Sequence, residues 1–215
     1  MSQSVFEAIS QYGVVPVIAI ESAEAALPLA DALIEGGLPI AEITFRTAAA
    51  AEVIRTLTEA RPGLLVGAGT LLTQENVKAA KACGAQFGVA PGLNPEVVRC
   101  AQEAGLPFTP GVATPSDIEQ ALCLGCTLLK FFPAEALGGA VIVKALSGPY
   151  AHRGVRFVPT GGVNQANLES YLSLATVSAV GGTWIATKQD LAQGNWEAVR
   201  GRCQAVTALV ARLRG

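Results

Sequence analysis

Short apolar runs alternate along the chain with longer stretches in which apolar residues recur at helical spacing. The runs are rich in Val, Ile, Leu and Phe and cover residues 14–20, 40–45, 64–68, 86–90, 107–110, 127–132, 155–159 and 177–180. Their starts lie roughly 20–28 residues apart, room for one strand, one helix and short loops. Such near-continuous apolar strands are what a parallel sheet covered on both faces requires.

Local signals punctuate the helices between them. Asn94, Pro95 and Glu96 supply a cap, a proline for the first turn and an acid near the positive helix end. Ser116, Asp117, Ile118 and Glu119, following Thr114 and Pro115, read as a capping box. Thr73 and Asn164 read as caps for helices starting at Gln74 and Gln165. Gly36, Gly37, Gly84, Gly105 and Gly125 each follow an Ala-rich stretch, where a left-handed C-terminal residue is wanted.

Eight strands, each followed by a helix, predict an α/β fold of the (β/α)₈ TIM-barrel type, one domain over residues 1–215. The competing arrangement, a doubly wound open sheet, should carry Gly-x-Gly-x-x-Gly after its first strand. The near match at Gly67, Ala68, Gly69 and Thr70 follows the third strand and has Leu72 where the last glycine belongs, so the barrel is preferred.

Composition narrows the class. Hydrophobic residues make up 51% of the 215 and charged residues only 15%, so much of the chain should be buried. The net charge of −2, without a Lys/Arg cluster, argues against a nucleic-acid partner. No apolar stretch approaches the roughly 20 residues of a membrane span, and residues 1–10 lack the basic and apolar segments of a secretory leader. Five cysteines, an odd number, fit a reduced cytoplasmic protein better than a disulfide framework.

A TIM barrel places its chemistry at the C-terminal strand ends. Few charged residues stand there. Lys130 interrupts an apolar strand, where burial would disfavour its charged form and leave a neutral amine able to form a Schiff base. The alternative is a lysine whose stem is buried and whose head reaches water. Strand alternation puts Glu42 on one face with Ile40, Thr44 and Arg46, where its carboxyl could act as general acid and base. The alternative is a structural ion pair with Arg46 or Lys130. Arg46 is suited to a substrate carboxylate, and Thr70 could add a hydroxyl donor. Thr160, Gly161 and Gly162, and again Gly181, Gly182 and Thr183, read as turns after strands seven and eight, where barrels often bind phosphate. Cys123 and Cys126 have CxxC spacing but no second ligand pair for a metal, and the single histidine, His152, lies in a Gly/Pro-rich connection. No metal site is expected. Trp184 and Trp196 read as packing residues on the last helices.

Taken together, residues 13–18, 42–47, 67–70, 90–92, 130–135, 159–163 and 180–184 closely resemble the bacterial 2-keto-3-deoxy-6-phosphogluconate (KDPG) aldolases, a family that also acts on 4-hydroxy-2-oxoglutarate. The resemblance implies a metal-independent class I aldolase, usually a homotrimer, releasing pyruvate and glyceraldehyde 3-phosphate from a phosphorylated keto acid with no cofactor. By that resemblance Lys130 would form the Schiff base, Glu42 would shuttle the proton, and Arg46 and Thr70 would hold the pyruvyl carboxylate. Pro91, Phe132 and Thr160 match pocket-lining positions, while Gly161, Gly162, Gly182 and Thr183 match the phosphate site. Thr183 stands where relatives usually carry Ser, and Leu137 where they more often have a small or polar residue. The alternatives are an aldolase for the 6-phosphogalactonate epimer and, from a different class, a non-catalytic barrel that binds phosphometabolites.

Overall fold

A computed structural model describes residues 2–215 of the chain. Met1, which belongs to both the one-domain and the leader expectations, lies outside the described residues. Helix α1 (Ser2–Tyr12) comes first, then β1 (Val14–Ile18), α2 (Ala26–Glu35), β2 (Ile40–Thr44), α3 (Ala50–Ala60), β3 (Leu65–Gly69), α4 (Gln74–Ala82), β4 (Phe87–Val89) and α5 (Pro95–Glu103). The second half runs β5 (Phe108–Thr109), β6 (Gly111–Val112), α6 (Pro115–Cys123), β7 (Leu128–Phe131), α7 (Gly139–Tyr150), β8 (Arg156–Pro159), α8 (Leu168–Leu172), β9 (Val180–Gly182), α9 (Lys188–Gln193) and α10 (Trp196–Arg214).

All pairings between named strands are parallel, and every residue of β1 and β2 is buried, as strands covered on both faces must be. The strands form a TIM-barrel-type fold, but as a six-stranded sheet, β5-β4-β3-β2-β1-β9, and a three-stranded sheet, β6-β7-β8. Two seams join them. At the first, Pro110 has no N–H to donate, so the fifth predicted strand is cut in two. Thr109 pairs back to Val89 of β4, while Gly111 pairs forward to Lys130 of β7. At the second, single bridges link Phe157 to Val177 and Thr160 to Gly181.

The last strand therefore differs from expectation. The run at 177–180 meets β8 through the Val177 bridge and the Ser178 N–H, which donates to the Phe157 carbonyl at 2.9 Å, and the ladder to β1 occupies residues 180–182. Two elements were not predicted: α1, whose Ile9 is buried, and a split of the final helical stretch into α9 and α10 at the left-handed Gly194. Helix α10 packs on α2 and buries Val199, Cys203, Val206 and Val210.

Helix starts follow the sequence signals, with corrections. Asn94 and Thr73 cap α5 and α4 through their side chains. The capping box of α6 is formed by Thr114 and Asp117, not by Ser116 and Glu119, because Pro115 occupies the first turn. Asn164 Oδ1 accepts the Ala166 N–H in a turn, and α8 begins only at Leu168. Gly37, Gly84, Gly105 and Gly125 are left-handed, whereas Gly36 is right-handed helical. Trp184 lies in the loop after β9 rather than on a helix. Among the described residues, no helix is long and apolar enough to cross a membrane.

Candidate active site

Alternation along β2 turns Glu42 inward, and β7 does the same for Lys130 from another part of the barrel wall. The Lys130 Nζ lies 3.5 Å from Glu42 Oε1. Relative exposure is 5% for Lys130 and 3% for Glu42, so neither side chain extends to the outer surface. Arg46 takes no part in this pair: its Nε donates to Thr44 Oγ1 at 3.2 Å, and Thr44 in turn donates to the Ile18 carbonyl at 3.1 Å. The Phe132 ring centroid is 5.5 Å from the Lys130 ammonium, within cation–π range.

Close backbone approach makes room for the carboxylate. A Cβ at Gly69 would sit 2.1 Å from Glu42 Oε1, so any larger residue at that point of β3 would push the carboxylate aside. The next residue, Thr70, has φ of 60°, a left-handed conformation that a β-branched residue rarely adopts. Such strain costs about 1–3 kcal/mol and concentrates at functional sites. Here it turns the chain at the cavity rim.

The ion pair stands at the wall of a cavity of about 240 Å³ at the C-terminal strand ends. A purely structural pair would be sealed by packing; this one faces open space. Arg46, Thr70, Pro91, Phe132 and Thr160 also line it. So do Gly161, Gly162, Gly182 and Thr183, which brings all the sequence-predicted site residues together.

On its far side the backbone is shaped for an anion. Gly161 and Gly162 take φ of 96° and 83°. Among the described residues, the N–H groups of Gly162 and Thr183 meet no protein acceptor, and outward N–H groups of this kind suit a phosphate. The expected second turn is instead a strand end. Gly181 and Gly182 belong to β9, where Cβ atoms would strike Thr160 and the Trp184 ring. Neither glycine pair runs directly into a helix, since α8 starts at Leu168 and α9 at Lys188.

Two supports behind this glycine-lined wall were not foreseen. The Tyr171 hydroxyl donates to Glu135 Oε1, and the Glu135 stem fills the space a Cβ on Gly162 would need. Burial, then the Glu135 carboxylate, pushes the Tyr171 phenol well above its ordinary value. On the other side, Arg202 Nη1 donates to the Trp184 carbonyl at 2.6 Å while Nη2 meets Asp190 Oδ2 at 2.8 Å. Val17, Thr44, Val163 and Gly181 line the cavity as well. Of these, Thr44 was legible from its place two residues past Glu42.

Cys123 is exposed and Cys126 buried, and both are free. Among the described residues, no three His, Cys, Asp or Glu side chains gather as a metal site.

Comparison with known proteins follows the same line. A family model described as KDPG and KHG aldolase matches residues 5–202. The chain is 46% identical over 198 residues to a 2-dehydro-3-deoxy-phosphogluconate aldolase of Haemophilus influenzae, covering 92% of each chain. It resembles a crystal structure of KDPG aldolase from Legionella pneumophila, with pyruvate captured at low pH as a covalent carbinolamine intermediate. There the TM-score is 0.90 and the identity 40%, over 96% of this chain and 98% of that one. A Zymomonas mobilis KDPG aldolase structure with 3-phosphoglycerate aligns with a TM-score of 0.87 at 34% identity, over 97% of each chain.

Proposed function

The chain belongs to the KDPG and KHG aldolase family, and from that premise we propose how its own residues cleave 2-dehydro-3-deoxy-6-phosphogluconate to pyruvate and glyceraldehyde 3-phosphate, the aldol step of the Entner-Doudoroff pathway. The observation that carries the reading is the buried Lys130 Nζ, 3.5 Å from Glu42 Oε1, on the wall of an open cavity.

Glu42 lies near enough to take the ammonium proton of Lys130, and the freed amine adds to the C2 keto carbon. Glu42 returns that proton to the carbinolamine hydroxyl, which leaves as water; the protonated imine that results is the electron sink, Glu42 is again a carboxylate, and no metal or organic cofactor is required. Glu42 then removes the C4 hydroxyl proton. The C3–C4 bond breaks, its electron pair forms the enamine, and the aldehyde departs. Protonation at C3 and hydrolysis release pyruvate and restore Lys130. A carboxyl serves for proton transfer in a chain with one histidine, His152, which is exposed and outside the cavity.

Arg46, with its planar fork, and Thr70 hold the pyruvyl carboxylate at the rim. Pro91, Phe132 and Thr160 flank the keto acid. The phosphate lies on the N–H groups of Gly162 and Thr183, beside Gly161 and Gly182. Supporting these assignments is their shared lining of one cavity, with the Gly162 and Thr183 N–H groups unused by protein among the described residues. The protein is a cytoplasmic homotrimer in this reading. Five free cysteines favour a reducing compartment, and the exposed Leu72, Leu137 and Val141 supply apolar surface for subunit contact.

The test is a coupled assay of pyruvate release from the 6-phosphogluconate-derived keto acid and its galactonate epimer. Turnover of the first, faster than of the second and lost in Lys130→Ala, is expected. Undiminished turnover in Lys130→Ala would remove the mechanism.

A further inference from the structure

Behind the ion pair, towards the barrel interior, lies a second and much smaller cavity of about 20 Å³. Its walls are apolar, with Ile9 from α1, Val15, Phe87, Val89 and Val158, except for four groups: Glu42, Lys130, Thr109 and Thr160. Thr160 is satisfied, donating to the Val158 carbonyl at 3.3 Å. Two others are not. Glu42 Oε1 is fully buried and, apart from its ion pair with the Lys130 ammonium at 3.5 Å, has no hydrogen-bond partner. Thr109, only 3% exposed, makes no side-chain hydrogen bond, although it lies inside the β5 half of a proline-split strand.

A fully buried carboxylate oxygen without a hydrogen bond is costly to leave unmatched, and the Thr109 hydroxyl lines the same cavity, where it can share a partner with that oxygen. A single water needs about 10–15 Å³ and two to four polar neighbours, and this space offers both. We propose that the interior cavity is a built site for one water, which accepts from the Thr109 hydroxyl and donates to Glu42 Oε1, so that Thr109 is a positioning residue for the Glu42 carboxylate. Held from behind at Oε1, the carboxylate keeps its other oxygen facing the substrate cavity for proton transfer. The unconventional break at Pro110 contributes, since it fixes Thr109 against β4 while freeing the next residues to pair with β7, which carries Lys130.

The inference rests on the aldolase reading for its catalytic consequence but not for the water itself, and the experiment separates the two. A crystal structure of the unmodified protein at a resolution that places waters is expected to show one in this cavity, within hydrogen-bond distance of Glu42 Oε1 and Thr109 Oγ1. Kinetics of Thr109→Val, which keeps the shape and removes the hydroxyl, should show kcat lowered about tenfold with KM nearly unchanged. That is a fraction of the roughly 10²–10⁴-fold a well-placed proton-transfer group contributes. Thr109→Ser, which restores a hydroxyl, should return most of the rate. A dry cavity in the unmodified protein overturns the proposal whatever the activity. So does wild-type kcat in Thr109→Val, or equal loss in the Val and Ser variants. Absence of aldolase turnover in the unmodified protein would instead sink the aldolase reading, with the water still decided by the map.

Discussion

At Gly69 the chemistry depends on an atom that is not there. Any side chain at that position enters the space of the Glu42 carboxylate, whose Oε1 would lie 2.1 Å from the new Cβ. Gly69→Ala is therefore expected to displace Glu42 and lower kcat by at least about 10²-fold, the scale on which misplacing a reacting group by about 1 Å acts. Circular dichroism should show the fold intact, and a kcat near wild type would mean that the position of Glu42 does not govern the rate. The sequence made Glu42 and Lys130 visible because both are ionisable groups in strands with almost none. It offered their meeting only as one alternative, beside a pair with Arg46, since strand alternation gives the face a side chain takes and not the partner across the barrel. It also left Thr109 unnoticed: a threonine in an apolar run looks like an ordinary β-branched strand residue.

Elements were legible to the extent that their signals are local. The apolar runs located the strands, and Thr73 and Asn94 located helix starts. Where a proline intervened the reading slipped: Pro115 moved the capping box of α6 to Thr114 and Asp117, and Pro110 divided one strand into two. The cap makes a direct prediction. Thr114→Ala removes the acceptor for the Asp117 N–H and should cost about 1 kcal/mol in urea unfolding, whereas Ser116→Ala should change stability by a few tenths at most. Equal effects of the two would contradict the assignment. Helix α1 was missed although Val5, Phe6, Ile9 and Tyr12 recur at helical spacing, because it stands before the repeating strand–helix units begin. Helix α10 reaches the site through Arg202, which contacts Trp184 and Asp190 in preceding elements. Arg202→Met frees the Trp184 carbonyl and the phosphate-side loop. We expect KM for the phosphorylated substrate to rise several-fold while values for unphosphorylated 4-hydroxy-2-oxoglutarate stay unchanged; an equal change for both would make Arg202 a purely structural residue.

Across the whole molecule, a thinly charged chain concentrates its ionic interactions at few points, and several are acid-sensitive. Burial pushes the Asp190 carboxyl up, but hydrogen bonds from Thr187 and Arg202 and the Arg202 charge outweigh it, leaving the pKa lowered. Asp117 follows the same balance, with N–H groups of Ala113 and Thr114 and the Thr114 hydroxyl prevailing over burial. Because these groups hold protons less readily folded than unfolded, they stabilise the protein above the ordinary aspartate value of about 3.9. That stability is lost as pH falls through their lower folded values. Thermal unfolding from pH 7 down to pH 3 should show a steep fall in Tm below about pH 4, and Asp190→Asn should flatten it. A Tm profile unchanged by that substitution would show that Asp190 does not contribute to the acid sensitivity.

The account as a whole turns on Lys130. The protein should be treated with borohydride in the presence of pyruvate, digested and analysed by mass spectrometry. One reduced pyruvyl group on Lys130, absent without pyruvate and absent from the Lys130→Ala variant, is the predicted result. An unmodified Lys130, under conditions that trap the imine of a control Schiff-base enzyme, would contradict it.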